Sequence, residues 1–278
     1  MNLQPRQRED YSDRQIAAAH RVLVDLGQVL KSFEDCLVVV GGWVPDLLMD
    51  KAEEAHVGSI DVDLALDAEN LADARYAELL KALLNTRRYK QAEEPYKLYA
   101  EVDLKDGDVL VRVDVDFLKS PDARTKKNKP KFTENFRPLD ASGCSAAFVH
   151  PELVDITGQM IKGQTNKVQL RVASIADFLI MKAYAMAGRD KPKDAYDICY
   201  CLDYYPGGLK ELAANWRNRA ASNDVVKAVG MLKDKFATVD AYGPRQVVEF
   251  YNAANAEEKE RQARRAFELV QDFLTRVG

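Results

Sequence analysis

The stretch Val38–Leu66, VVVGGWVPDLLMDKAEEAHVGSIDVDLAL, decides the fold. Its opening residues Val38, Val39 and Val40 are β-branched and predict a short buried strand, which Gly41-Gly42 ends abruptly. A second strand-like run, Ile60–Leu66, carries Asp61 and Asp63. Side chains alternate across a strand, so these two aspartates share one face while Ile60, Val62, Leu64 and Leu66 take the other. One face is core and the other carries two like charges side by side. Such a pair is tolerated only in water or around a cation.

Mg²⁺ is the expected cation, with Mn²⁺ as a substitute, because it takes one or two carboxylates together with substrate phosphates. The backbone N–H groups of Gly41 and Gly42, ahead of a helix begun by Trp43, offer a place where a polyphosphate can lie close. Together the two halves of the stretch point to metal-dependent nucleotidyl transfer from a nucleoside triphosphate. The plain alternative is an edge strand whose aspartates face water.

Upstream, Ile16, Ala19, Leu23, Leu26, Leu30 and Phe33 recur every three or four residues and predict an amphipathic helix over 11–33. His20 within it reads as a packed or surface histidine. Downstream, 68–87 is predicted helical, and 96–104 and 109–118 are predicted strands joined by a hairpin at Lys105-Asp106-Gly107-Asp108. In the second of these, Val109, Val111, Val113 and Val115 are assigned to the core. Arg112, Asp114 and Asp116 fall on the opposite face, where a third carboxylate would serve a two-metal site. Further strands are expected at 143–150, 152–156 and 167–172, and helices from Ser174 onward.

The segment from Lys119 to Pro138 differs in kind: seven basic residues stand against Asp122 and Glu134, with Phe132 and Phe136 interleaved. It reads either as a loop that holds an RNA backbone, with its aromatics free to stack, or as an ordinary solvated loop. The 174–187 helix is apolar nearly all round, yet carries Lys182. A buried ammonium there needs a triphosphate or a carboxylate as partner. The next helix begins near Pro192 and presents Asp194 and Asp197 on one face.

GGWVPDLL followed by HVGSIDVDLALD resembles the nucleotidyltransferase-fold superfamily, the polymerase-β-like fold. Lys182 and the run Arg189-Asp190-Lys191-Pro192-Lys193-Asp194-Ala195-Tyr196-Asp197 look like the lysine helix and R-x-K-x-KD-x-x-D element of AbiEii/AbiGii-type toxins. The resemblance covers about residues 36–205. It implies an α+β fold: a mixed sheet with helices, followed by an α-helical C-terminal lobe. The expected division is a catalytic domain over 1–172 and a helical domain over 173–278 that contributes Lys182 and Asp197.

Carried onto this chain, the resemblance makes Asp61, Asp63, Lys182, Asp197 and Asp116 the catalytic residues, and Asp61, Asp63 and Asp116 the metal ligands. Asp116, followed by Phe-Leu, is the better match for the third aspartate, and Asp114 is the fallback. Gly41, Gly42, Ser59, Lys182 and Arg189 would bind the nucleotide; Ser59 matches a serine of MenT-like relatives, while Asp194 would only cap its helix. The resemblance implies a tRNA 3′ end as acceptor and a cognate antitoxin protein as partner. Two other readings stay open. One is an antibiotic nucleotidyltransferase of the aminoglycoside or lincosamide kind, and the other a non-catalytic RNA- or partner-binding module.

The chain has 278 residues and a formal net charge of -4, so any RNA binding is expected to be local. Cys36, Cys144, Cys199 and Cys201 have no zinc-site spacing and read as reduced thiols. With no signal peptide and no apolar run near 18 residues, a cytoplasmic protein away from membranes is expected. Beyond Tyr205, helices are predicted near 209–221, 224–236, 245–253 and 257–276. There Trp216, Arg217, Arg219, Arg261, Arg264 and Arg265 could line a substrate groove or simply form solvated faces.

Overall fold

The computed structural model describes residues 5–67, 71, 73–107, 109–123, 136–220 and 222–278. Two compact units emerge, one of residues 12–44 and 58–174, the other of residues 1–11, 45–57 and 175–278. The expected division near 172 is therefore drawn differently: two N-terminal segments group with the helices. They do so because their side chains pair there, as Arg8 does with Glu54 at 2.9 Å and Tyr11 with the Phe250 ring at 6.0 Å.

The first unit is built on a mixed eight-stranded sheet of order β3-β4-β5-β2-β1-β8-β7, with β6 paired to β5. Its strands are β1 (Leu37–Val40), β2 (Val62–Leu66), β3 (Tyr89–Gln91), β4 (Lys97–Val102), β5 (Val111–Lys119), β6 (Leu139–Asp140), β7 (Glu152–Gln159) and β8 (Thr165–Val172). β1 runs antiparallel to β2 and parallel to β8, and β2 runs parallel to β5. The β-branched triplet Val38–Val40 is at most 2% exposed at the sheet centre, as a strand covered on both faces requires.

Helix α1 (Asp13–Val29) packs on the sheet with Ala18, Ala19, Val22, Leu23 and Leu26 buried. A reciprocal cap starts it: Ser12 accepts from the Gln15 N–H while the Gln15 side chain accepts from the Ser12 N–H. α2 (Trp43–Leu48) is a short turn of helix after Gly41-Gly42, and α3 (Asp73–Asn85) precedes β3.

Three local expectations are corrected here. Val109 is 83% exposed, not core, because the β4–β5 ladder ends at the Val102–Val111 pair and the alternation of Val109 lies beyond it. The hairpin connection is accordingly longer than the Asp-Gly signal suggests. Residues 143–150 form no strand: Gly143, at φ +78°, leads into a 3-10 helix over Cys144–Phe148.

The second unit is helical: α4 (Ile175–Gly188), α5 (Pro192–Tyr204), α6 (Gly208–Asn218), α7 (Asn223–Lys235), α8 (Tyr242–Tyr251) and α9 (Ala256–Val277). α4 buries Ile175, Phe178, Leu179, Ile180, Ala183 and Met186, the mark of a helix at the centre of its core. Pro192 opens α5, where a missing N–H does no harm. Trp216 does not line a groove; it is fully buried, edge-on to Phe273 at 5.1 Å. Arg219 pairs with buried Asp177 at 3.1 Å. The cysteines are all free, and among the described residues no helix is long and apolar enough to cross a membrane.

Candidate active site

β2 and β5 are parallel neighbours, and their register sets Asp63 directly opposite Asp116. Parallel strands lie about 4.8 Å apart, so same-face side chains at one register level are adjacent. Two carboxylates separated widely in sequence thus meet. Burial, and next the charge of Asp63, push the Asp116 carboxyl up to about 7; Lys97 pulls the other way. Its Oδ1 is buried with no hydrogen-bond partner, Lys97 Nζ being 3.5 Å away. Asp114, the fallback, is engaged instead by Lys97 at 2.9 Å and by Arg112 at 2.8 Å.

Asp61 stands one residue before β2 rather than within it. It is held from both ends: Ser59 Oγ donates to its Oδ1 at 2.6 Å, and the Trp43 indole N–H donates to its carbonyl at 2.8 Å. Gly41 has φ +70°, and a Cβ there would lie 1.9 Å from Asp63 Oδ2. The first glycine is therefore required twice, by the turn and by the carboxylate beside it. Gly42, buried, carries the chain on into α2.

Among the described residues, no three His, Cys, Asp or Glu side chains form a cluster able to hold a metal by themselves. The donor set nevertheless fits a hard divalent ion shared with substrate phosphates, which needs only one or two carboxylates. Asp116 Oδ1, buried beside Asp63 with no hydrogen bond and with the Lys97 ammonium 3.5 Å away, is the observation that favours it.

The remaining expected residues gather in the helical unit. Lys182 Nζ lies 2.7 Å from Asp194 Oδ1 and 2.6 Å from Asp197 Oδ2. Arg189 grips Asp194 with two donors, Nε at 2.7 Å and Nη2 at 2.8 Å. Asp197 also receives Lys193 Nζ at 2.7 Å and faces His56 Nε2 at 2.9 Å. Asp194 and Asp197 are fully buried. Asp194 is more than a helix cap, because it pairs Lys182 and Arg189. The partner that Lys182 needed is a pair of carboxylates.

The titrations follow from this packing. Burial alone would raise the Asp194 carboxyl, but Lys182 and Arg189 outweigh it and hold it down to about 2. Burial, then the nearby Lys193 charge, lowers His56 to about 4 despite its bond to Asp197. His56 and Asp197 are close enough to be read as an ion pair. The neutral imidazole is the better description, since two lysines already balance Asp197 and a further buried cation would go unanswered.

Lys97 was assigned no role from sequence, nor were His56 and Lys193, although the latter two stand within the motifs that carry the family resemblance. Lys193 was discoverable as an i, i+4 partner of Asp197. Lys97 depends on the β4–β5 register and His56 on a contact across 141 residues of chain, which no local signal carries. The basic residues Arg124, Lys126, Lys127, Lys129 and Lys131, with Phe132, lie outside the described residues. Phe136 is buried against Phe117 at 5.5 Å and is not available for stacking.

The family model described as nucleotidyl transferase AbiEii toxin, type IV TA system, matches residues 24–275. No curated protein matches the chain. Among solved structures, the crystal structure of JHP933 from Helicobacter pylori is similar over 96% of this chain and 94% of that one. The two are 13% identical, with a TM-score of 0.49.

Proposed function

The chain belongs to the AbiEii nucleotidyl transferase toxin family of type IV toxin–antitoxin systems, and from that premise we propose that it transfers a nucleoside monophosphate from a nucleoside triphosphate to the 3′ hydroxyl of a tRNA. A cognate antitoxin protein is its proposed neutralising partner. The single observation that carries the reaction is Asp116 beside Asp63, with a buried oxygen that lacks a hydrogen bond.

Asp63 and Asp116 would hold Mg²⁺ together with triphosphate oxygens, Asp61 adding its charge beside them; the ion would offset triphosphate charge and make the acceptor hydroxyl more acidic. Burial and the Asp63 charge raise the Asp116 carboxyl, and a bound cation would return it to the ionised form a metal ligand needs, so the proton of that hydroxyl goes to solvent. The hydroxyl oxygen then bonds to the α-phosphorus, the bond from that phosphorus to the bridging oxygen breaks, and pyrophosphate leaves. Ser59 orients Asp61, and the Gly41 turn lets the Gly42 backbone approach the phosphates. Lys182 and Asp197, buried against each other, act as positioning residues that hold α4 to α5. Arg189, half exposed, is held by Asp194.

Incubation with total RNA, Mg²⁺ and each labelled nucleoside triphosphate in turn tests this reading. Label should appear on tRNA with the wild type and be lost in Asp63→Asn. Equal labelling by the variant would refute the site, and label on an aminoglycoside but on no RNA would refute the acceptor.

A further inference from the structure

A cavity of about 310 Å³ opens in the helical unit among α5, α8 and α9. Its size sits near the lower bound of small-molecule sites, and no residue assigned to the transfer reaction lines it. Tyr200 and Tyr204 from α5 and Tyr251 from α8 supply aromatic wall; Arg261, Gln262 and Arg265 come from α9. Two of the rings are pinned in advance. Tyr200 donates its hydroxyl to the Glu54 carbonyl at 2.6 Å and Tyr204 donates to Glu54 Oε2 at 2.9 Å, leaving the ring centroids 5.0 Å apart.

The acids at this cavity are already balanced. Glu54 pairs with Arg8 at 2.9 Å, and Asp203 with Arg265. Among the described residues Arg261 pairs with Glu258 at 4.0 Å, and its side chain is 78% exposed; Arg265 is 67% exposed. The cavity therefore combines flat aromatic surface and exposed guanidiniums. An aliphatic ligand would use only the first, and an acidic peptide only the second. An unstacked base with its phosphate uses both: ring face on tyrosine, phosphate on arginine.

We propose that this cavity holds an unpaired nucleotide of an RNA strand, apart from the carboxylate site. The proposal rests on the reading that the acceptor is RNA, and it places part of that strand on the helical unit.

The test is fluorescence anisotropy of the full chain with a short labelled single-stranded RNA, over a range of salt. Arg261→Gln/Arg265→Gln should weaken binding at least tenfold and reduce the slope of log K against log salt by up to about 1.4, two phosphate contacts' worth. Tyr251→Leu removes an aromatic face of the cavity while keeping an apolar side chain, so it should weaken binding without changing the salt slope. If the double variant fails to fold by circular dichroism, Tyr251→Leu carries the test alone. Competition by a mononucleotide as strong as by RNA would identify a free nucleotide as the occupant and overturn the RNA proposal; competition by RNA alone supports it. Unchanged affinity in folded variants also overturns it. Wild-type transfer to total RNA, measured alongside, separates the two failures: labelled tRNA with unaffected variants sinks only the cavity proposal, and no label on RNA sinks the transfer reading.

Discussion

Replacing His56 with glutamine should flatten the acid sensitivity of the helical unit. His56 is almost wholly buried, its ring lying 5.4 Å from the Tyr196 ring and 4.9 Å from that of Tyr200. Its pKa falls from the ordinary 6.5 to about 4, chiefly through burial. A folded-state value below the unfolded one means that the unfolded chain takes up the proton first. Stability therefore declines as pH drops from 6.5 to about 4, and below that interval no more is lost through this group. At about 1.4 kcal/mol per pH unit the full effect is about 3 kcal/mol.

Glutamine cannot titrate, but its amide can still donate to Asp197. At pH 7 the variant should be the less stable protein, having lost ring packing, and the gap should close by about 3 kcal/mol by pH 4. Urea unfolding monitored by tryptophan fluorescence measures this directly. Trp216 is buried in the helical unit and Trp43 belongs to the sheet unit, so a Trp43→Phe background isolates the signal. Parallel stability curves for the two proteins would refute the reasoning. So would a wild type that gains on the variant as pH falls, the behaviour of an imidazolium bound to Asp197.

Lys182→Met should lower the stability of the helical unit by about 3–5 kcal/mol, because it leaves Asp194 and Asp197 short of a buried counter-charge; urea unfolding at pH 7 measures the loss. Gly41→Ala should reduce transfer sharply while leaving the fold recognisable by circular dichroism, since the new methyl meets Asp63 Oδ2 in a left-handed turn. Millimolar Mg²⁺ should raise the thermal midpoint of the wild type by differential scanning calorimetry, and Asp63→Asn should abolish the rise. Lys97→Met should strengthen that Mg²⁺ response by removing the ammonium that lies near Asp116, read from the same calorimetric titration.

The orientation of Asp63 was legible because alternation acts within a few residues: once Val62 and Leu64 are core, Asp63 must face away. Its partner was less so. Asp116 could be nominated by alternation in β5, but Asp114 satisfies the same pattern. The register of β2 against β5 is what sets Asp116 beside Asp63. Val109 shows the converse failure, since its alternation continues past the last ladder pair and no local feature marks where pairing stops.

Sequence by itself determined the strand that ends at Gly41-Gly42, the amphipathic α1, the anomaly of a lysine in the apolar α4 and membership of a recognisable family. Each of these depends on spacing within a turn or a strand. Tertiary structure alone decided that Lys182 is answered by Asp194 and Asp197, that His56 joins them across 141 residues, and that Asp116 Oδ1 is buried without a hydrogen bond, 3.5 Å from Lys97 Nζ. Coulombic and desolvation effects depend on distance in space, and the chain order of charges does not contain it.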